Sequence, residues 1–208
     1  MKIISENNSD AVALAKQFLQ DGLLISFASD TVYGIACDAS NSKAVESLYD
    51  LKNRDPKKPI AIFVKDLETA KEIFIFDELS EKIAQEFFPG ALTLVLKTQP
   101  NIQIKISSDL NKNNEFLGFR IVDRNFIKNL MANFDGVLAV TSANLAGQNP
   151  AASAKEVEKY FSNSKLDLLI DGGISQEKEA STVVKINNQK LEILRQGAIS
   201  QSLIKFIS

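Results

Sequence analysis

Apolar residues along this 208-residue chain follow two rhythms, one recurring every third or fourth position and one every second. Val12, Leu14, Ala15, Phe18 and Leu19 keep helical spacing between the capping candidates Ser9 and Asp10 and the stop residue Gly22. Residues 23–28 form a short apolar run of strand character. The polar turn Ser29-Asp30-Thr31-Val32-Tyr33-Gly34 then leads into further apolar positions. Residues 42–52 predict a helix with Ala44, Val45, Leu48 and Leu51 on one face. Pro56 and Pro59 bracket a basic loop, and residues 60–64 make a buried strand.

Helical spacing returns at 67–72 and at 78–88, the second stretch ending at Pro89-Gly90. Residues 91–97 read as a strand, and Ile102, Ile104 and Ile106 alternate with polar residues as a half-buried strand would. Residues 111–114 have the composition of a loop tip. Residues 117–122 form another strand, after which Asp123 is placed to cap a helix through Phe126, Ile127 and Leu130. A buried strand at 137–141 runs into Ser142-Ala143-Asn144, and Ser153 with Glu156 has capping-box spacing. Strands are expected at 168–171, 182–186 and 191–195, then a terminal helix from Ser200. The irregular alternation of strands and helices predicts one α/β layered domain with a mixed sheet, not a regular doubly wound fold.

Composition narrows the chemistry. Hydrophobic residues make up 45% and charged residues 24%, ordinary values for a globular chain. No apolar run approaches the roughly 20 residues that span a bilayer. The first ten residues lack the plan of a secretory signal, and the one cysteine, Cys37, has no internal disulfide partner, so a cytoplasmic location is expected. Cys37 itself, between Ala36 and Asp38, reads as an inert small hydrophobe. A net charge of −2 argues against bulk binding of nucleic acid. The chain contains no histidine, which excludes Ser-His and Cys-His nucleophiles and disfavours a structural zinc site. An enzyme built this way works by positioning and charge stabilisation, or by carboxylate, lysine or metal-bound oxygen chemistry.

Neither a G-x-x-x-x-G-K-[ST] loop nor a G-x-G-x-x-G turn is present, so side chains must hold any polyphosphate. Lys52 and Arg54, where a helix gives way to a loop, offer a compact charge and a planar fork. In an extended segment, positions two apart point the same way, so both could reach one ligand. A solvated basic helix end is the plainer reading. Ser142 and Asn144 follow a buried strand, where ligands often sit in open α/β sheets, yet both could serve turn hydrogen bonds before Gly147. Arg120, in the middle of an apolar strand, requires an ion-pair partner or an anionic ligand. Thr31 and Tyr33 could contact a small polar substrate or simply pack. Ser181 and Arg195 lie in the last strands, and Asp171-Gly172-Gly173 is most simply a turn.

In order, these segments resemble the YrdC-type threonylcarbamoyl-AMP synthase family over nearly the whole chain. The resemblance runs through Ser29-Asp30-Thr31-Val32-Tyr33-Gly34, Lys52-Asn53-Arg54, Phe88-Pro89-Gly90-Ala91-Leu92-Thr93 and Gly118-Phe119-Arg120. It continues through Thr141-Ser142-Ala143-Asn144 with Gly147, Asp171-Gly172-Gly173, Ser181-Thr182-Val183-Val184 and Arg195-Gln196-Gly197-Ala198-Ile199. Each motif is weak alone; eight in the family's order are strong. Two positions depart from the family pattern: Ala28-Ser29 stands where Pro-Thr is usual, and Val122 where a proline is common.

The resemblance implies a single YrdC-like α/β domain over residues 1–208: three layers, a twisted mixed parallel/antiparallel sheet and a concave ligand site. It implies that L-threonine, bicarbonate and ATP yield threonylcarbamoyl-AMP and pyrophosphate. A tRNA threonylcarbamoyl transferase complex would take up the product, with at most a weak tRNA contact on this chain. By the same resemblance, Lys52, Arg54, Ser142 and Asn144 carry catalysis and, with Arg195, bind ATP. Thr31, Arg120 and Ser181 would bind threonine. Mg2+ would arrive with the nucleotide, and no side chain is assigned to a metal. A rival is a YrdC-like paralogue that binds RNA or transfers a carbamoyl group without synthase activity.

Overall fold

The computed structural model describes residues 1–111, 115–145, 147–175 and 179–207. Ten strands join in one sheet: β1 (Lys2–Ser5), β2 (Ile25–Ala28), β3 (Tyr33–Asp38), β4 (Ala61–Phe63), β5 (Leu92–Lys97), β6 (Phe116–Arg120), β7 (Leu138–Ser142), β8 (Leu168–Asp171), β9 (Thr182–Asn187) and β10 (Lys190–Arg195). Their spatial order is β1-β8-β2-β3-β7-β4-β6-β5-β9-β10. Pairings β1–β8, β8–β2, β4–β6 and β5–β9 are parallel, and the other neighbours are antiparallel. The expected mixed sheet is therefore present.

The helices are α1 (Ala11–Gln20), α2 (Ser42–Leu51), α3 (Leu67–Ile73), α4 (Glu78–Phe87), α5 (Asn125–Asn133), α6 (Ala154–Phe161) and α7 (Gln201–Ile207). Local chemistry sets several of their starts. The Asn41 side chain accepts from the Lys43 and Ala44 N–H groups ahead of α2, and Asp77 forms a capping box with Ser80 at α4. Helix α2 buries Ala44, Val45, Leu48 and Tyr49 and gives way at Lys52, beyond which Asn53 takes the left-handed conformation (φ 45°).

Strand alternation sorts the buried residues into two cores, one per face of the sheet. On one face, α1 and α5 pack Ala15, Leu19, Phe126 and Leu130 against Ile25, Phe27, Leu138 and Ile170. On the other, α2, α3, α4, α6 and α7 pack against residues such as Ile35, Ile62, Leu94, Phe119 and Val184. The layering is helix–sheet–helix, with one gap. Beyond Phe63 of β4, over β6, β5, β9 and β10, the face that carries α1 and α5 elsewhere has no helical cover among the described residues.

Four local expectations need correction or limitation. Residues 102–106 form no strand; their isoleucines are half-buried against the larger core, which satisfies the alternation by packing without a ladder partner. Asp123 does not cap α5, whose N-cap is Arg124; the Asp123 carboxylate instead pairs with Lys128 at 2.5 Å. Ser153 caps Glu156 as expected, but the Glu156 carboxylate accepts from Ala152 N–H, one residue earlier than a capping box requires. The loop tip expected at 111–114 lies largely outside the described residues. Strand β1, absent from the sequence reading, pairs with β8 as an edge strand.

Candidate active site

The uncovered face of the sheet is the floor of a cleft of about 610 Å³. Period-2 alternation places its residues: Leu92, Leu94, Leu117, Phe119 and Val184 point into the core, so Thr93, Val95, Gly118, Arg120 and Val183 face the cleft. Gly118 keeps the floor low. A Cβ there would stand 3.2 Å from Thr93 Cγ2 and 3.4 Å from Ala61 Cβ. Among the described residues lining the cleft, four are cationic (Arg54, Arg120, Lys185 and Arg195) and one, Glu192, is anionic.

Arg120 is 4% exposed and has the partner its position demanded. Its Nη2 donates to Asp30 Oδ1 at 2.5 Å, Nη1 to Thr31 Oγ1 at 2.8 Å and Nε to the Gly90 carbonyl at 3.0 Å. Asp30 also accepts from the Asp123 N–H, tying the β2–β3 turn to the end of β6. Within that turn, Ser29 Oγ accepts from Thr31 N–H and donates to the Val32 carbonyl, so the serine keeps a hydroxyl's turn-forming role. Val122 is buried in the α1/α5 core, a use for an apolar side chain that needs no proline.

Lys52 is 6% exposed and turned inward, not extended beside Arg54, because the chain bends at Asn53. Its Nζ donates to the Ser142 carbonyl (2.7 Å), to Asn144 Oδ1 (2.8 Å) and to the Asn144 carbonyl. Ser142 Oγ in turn donates to Asn144 Oδ1 at 2.6 Å. Two candidate pairs 90 residues apart in sequence are thus one hydrogen-bonded unit. Ser142 and Arg54 line the cleft, whereas Lys52 and Asn144 are not among its lining residues. Arg54 braces its own loop, donating to the Lys58 and Pro59 carbonyls at 3.1 and 2.7 Å. On the opposite side, Arg195 donates to the Ser181 carbonyl and hydroxyl, and Ser181 Oγ shares a 2.7 Å bond with Thr93 Oγ1.

Like charges crowd here. Burial and then repulsion from Arg54 pull Lys52 down to about 8, against the three oxygens that favour its charged form. Burial lowers Arg195, and Arg54 lowers it further. Burial lowers Arg120 too; Asp30 opposes this and Arg195 adds to it. Lys52, Arg54, Arg195 and Arg120 therefore form a chain of mutually repelling cations around one concavity, an arrangement that an anion relieves. Among the described residues, no group of three or more His, Cys, Asp or Glu side chains could hold a metal ion, and no helix is long and apolar enough to cross a membrane.

All eight candidate residues fall in or directly behind this cleft. Sequence reasoning missed Asp30, Thr93, Gly118 and Glu192. Asp30 was within reach as the carboxylate that Arg120 needed, and Thr93 as the one hydroxyl in the apolar run Leu92-Thr93-Leu94-Val95-Leu96.

Comparison with known proteins fits this arrangement. The Sua5/YciO/YrdC family model, described as telomere recombination, matches residues 17–197. Mouse threonylcarbamoyl-AMP synthase is 35% identical over 199 residues, covering 91% of this chain and 68% of that protein. The structure of Pyrococcus abyssi Sua5 complexed with L-threonine aligns with a TM-score of 0.90 at 25% identity. That alignment covers 99% of this chain, which spans 60% of the Sua5 chain. Escherichia coli YciO shares the fold, with a TM-score of 0.82 at 18% identity over 94% of this chain and 93% of that one.

Proposed function

The chain belongs to the Sua5/YciO/YrdC family, and from that premise we propose that it is an L-threonylcarbamoyladenylate synthase, a nucleotidyltransferase acting on L-threonine, bicarbonate and ATP. The observation that carries this reading is the three arginines, Arg54, Arg120 and Arg195, that line one cleft with the buried Lys52 behind its Ser142 wall, in a protein without histidine. The chemistry asks for little else. The threonine amine condenses with bicarbonate to a carbamate and water. A carbamate oxygen then bonds to the α-phosphorus as the bond to the bridging oxygen breaks and pyrophosphate leaves. Bicarbonate, the carbamate, ATP and pyrophosphate are anionic and threonine carries a carboxylate, so catalysis consists of alignment and charge neutralisation.

In this reading Arg54, Ser142 and Arg195 hold the phosphates from the cleft wall. Lys52 and Asn144 act from behind it, adding charge and fixing the Ser142 turn. Thr31, Arg120 and Ser181 receive threonine. Magnesium enters as Mg·ATP, carried by the phosphates. Residues 1–208 work as one YrdC-like unit in the cytoplasm, and the adenylate passes to a tRNA threonylcarbamoyl transferase complex.

The test is pyrophosphate release from ATP with threonine and bicarbonate supplied or withheld. Release should require both and be nearly abolished in folded Lys52→Ala and Asn144→Ala variants. Release that is absent, or indifferent to threonine, would favour a paralogue without synthase activity.

A further inference from the structure

Thr93 has no assigned role, yet it occupies the centre of the cleft floor. Its neighbours on the sheet are both site strands. Leu94 pairs with Phe119 on β6, so Thr93 falls opposite Arg120 at the next step of that ladder, and on β9 it pairs with Val183. Ser181, two residues before Val183, reaches Thr93 through the 2.7 Å hydroxyl pair, and Arg195 holds Ser181 from the far side. Thr93 therefore sits between two guanidinium groups, one on β6 and one on β10.

Counting protons shows what this group offers. Ser181 Oγ accepts from Arg195 Nη2, and one hydroxyl proton is spent between Ser181 and Thr93, whichever of the two donates it. The other hydroxyl proton has no acceptor among the described residues. Arg120 uses one N–H at each of its three nitrogens, which leaves one at Nη1 and one at Nη2. Arg195 uses Nε and Nη2, which leaves Nη1. Four residues that line the cleft, the paired Thr93 and Ser181 with Arg120 and Arg195, thus keep unspent donors between them. A donor row flanked by two cations selects an oxyanion, and paired N–H forks match a planar carboxylate.

The orientation of Thr93 is built in. Its methyl group lies over Gly118, where a Cβ would approach to 3.2 Å, and its hydroxyl turns to Ser181. A β-branched side chain has few χ1 alternatives in a strand, so the hydroxyl is held rather than free to search.

We propose that Thr93 is a further substrate-binding residue, whose hydroxyl, paired with Ser181, completes an oxyanion subsite between Arg120 and Arg195 for a planar carboxylate. This rests on the synthase reading. Two sources of that carboxylate exist within it, threonine's own and the carbamate formed from bicarbonate.

Thr93→Val keeps the methyl group and the volume while deleting the hydroxyl; Thr93→Ser does the reverse. The experiment measures Michaelis constants for threonine, bicarbonate and ATP in wild type and both variants, with calorimetric titration of L-threonine as a readout that needs no turnover. Loss of one hydrogen bond to a charged acceptor should raise KM for the carboxylate source about tenfold or more in Thr93→Val, with Thr93→Ser close to wild type and KM for ATP within about twofold. A rise for threonine together with weakened L-threonine binding identifies the amino-acid carboxylate. A rise confined to bicarbonate identifies the carbamate. The proposal is overturned if Thr93→Val matches wild type, if Thr93→Ser is equally impaired, or if KM for ATP rises in parallel, which would make Thr93 a prop for Ser181 and Arg195. A wild-type protein that neither binds L-threonine nor releases pyrophosphate overturns the synthase reading itself.

Discussion

Lys52 has three donors and meets three protein oxygens, so its ammonium is saturated before any ligand arrives. Its charge is nevertheless held loosely, near 8 instead of 10.5, because burial and Arg54 both oppose it. Two outcomes follow in opposite directions. As pH rises through about 8, the free protein loses a positive charge behind the cleft; if Lys52 serves ATP as proposed, kcat/KM for ATP should fall there. The decline in kcat should come at higher pH, since bound phosphate favours the protonated lysine. Stability moves the other way. Between pH 8 and 10.5 the unfolded chain keeps a proton that the folded chain has released, so the contribution of Lys52 grows with pH across that window and is lost as pH falls back through 8. Urea unfolding of wild type against Lys52→Met at pH 7.5 and 9.5 should show the difference shifting in favour of wild type at the higher pH.

Strand β6 shows how one element serves two masters by alternation: Leu117 and Phe119 belong to the core, Gly118 and Arg120 to the cleft. Gly118→Ala should therefore leave folding nearly intact while crowding Thr93, Ala61 and Val95. The expected result is an unfolding midpoint within a few degrees of wild type and a several-fold rise in KM for threonine, readable by thermal unfolding and initial rates. This duality also explains what the sequence could and could not disclose. Helices α2 and α4 were legible because the helical spacing of their apolar residues is a local signal, although their caps, Asn41 and Asp77, went unread. The strands of the sheet interior were legible as apolar runs. Strand β1 was not, since an exposed edge strand carries little hydrophobic pattern: its residues are exposed apart from the half-buried Ile4. The isoleucines at 102–106 misled because packing on a core imposes the same period as a ladder. Arg120 announced a partner, but choosing Asp30 among many acids required the β2–β3 turn to be placed against β6.

At the scale of the molecule, the two cores have separable duties. The smaller one, under α1 and α5, lies beneath half of the sheet and contributes only its border residues, among them Phe63 and Val140, to the cleft. Leu130→Ala, which empties a fully buried position on α5, should cost about 2–5 kcal/mol in denaturant unfolding, the usual range for such cavities. KM values measured well below the unfolding midpoint should stay at wild-type levels. The cleft itself draws Thr31 from the first hairpin, Arg54 from the loop after α2, Ser142 from β7 and Arg195 from the last strand. No contiguous stretch contains enough of it to bind anything. Binding energy is therefore available only to the assembled chain, and any opening that separates these segments forfeits it. A ligand at a hundred times its dissociation constant raises the free energy of such openings by about 2.7 kcal/mol. Occupancy of the cleft thus acts as a clasp between the first and last thirds of the chain, and a substrate's first measurable effect should be on the survival of the fold.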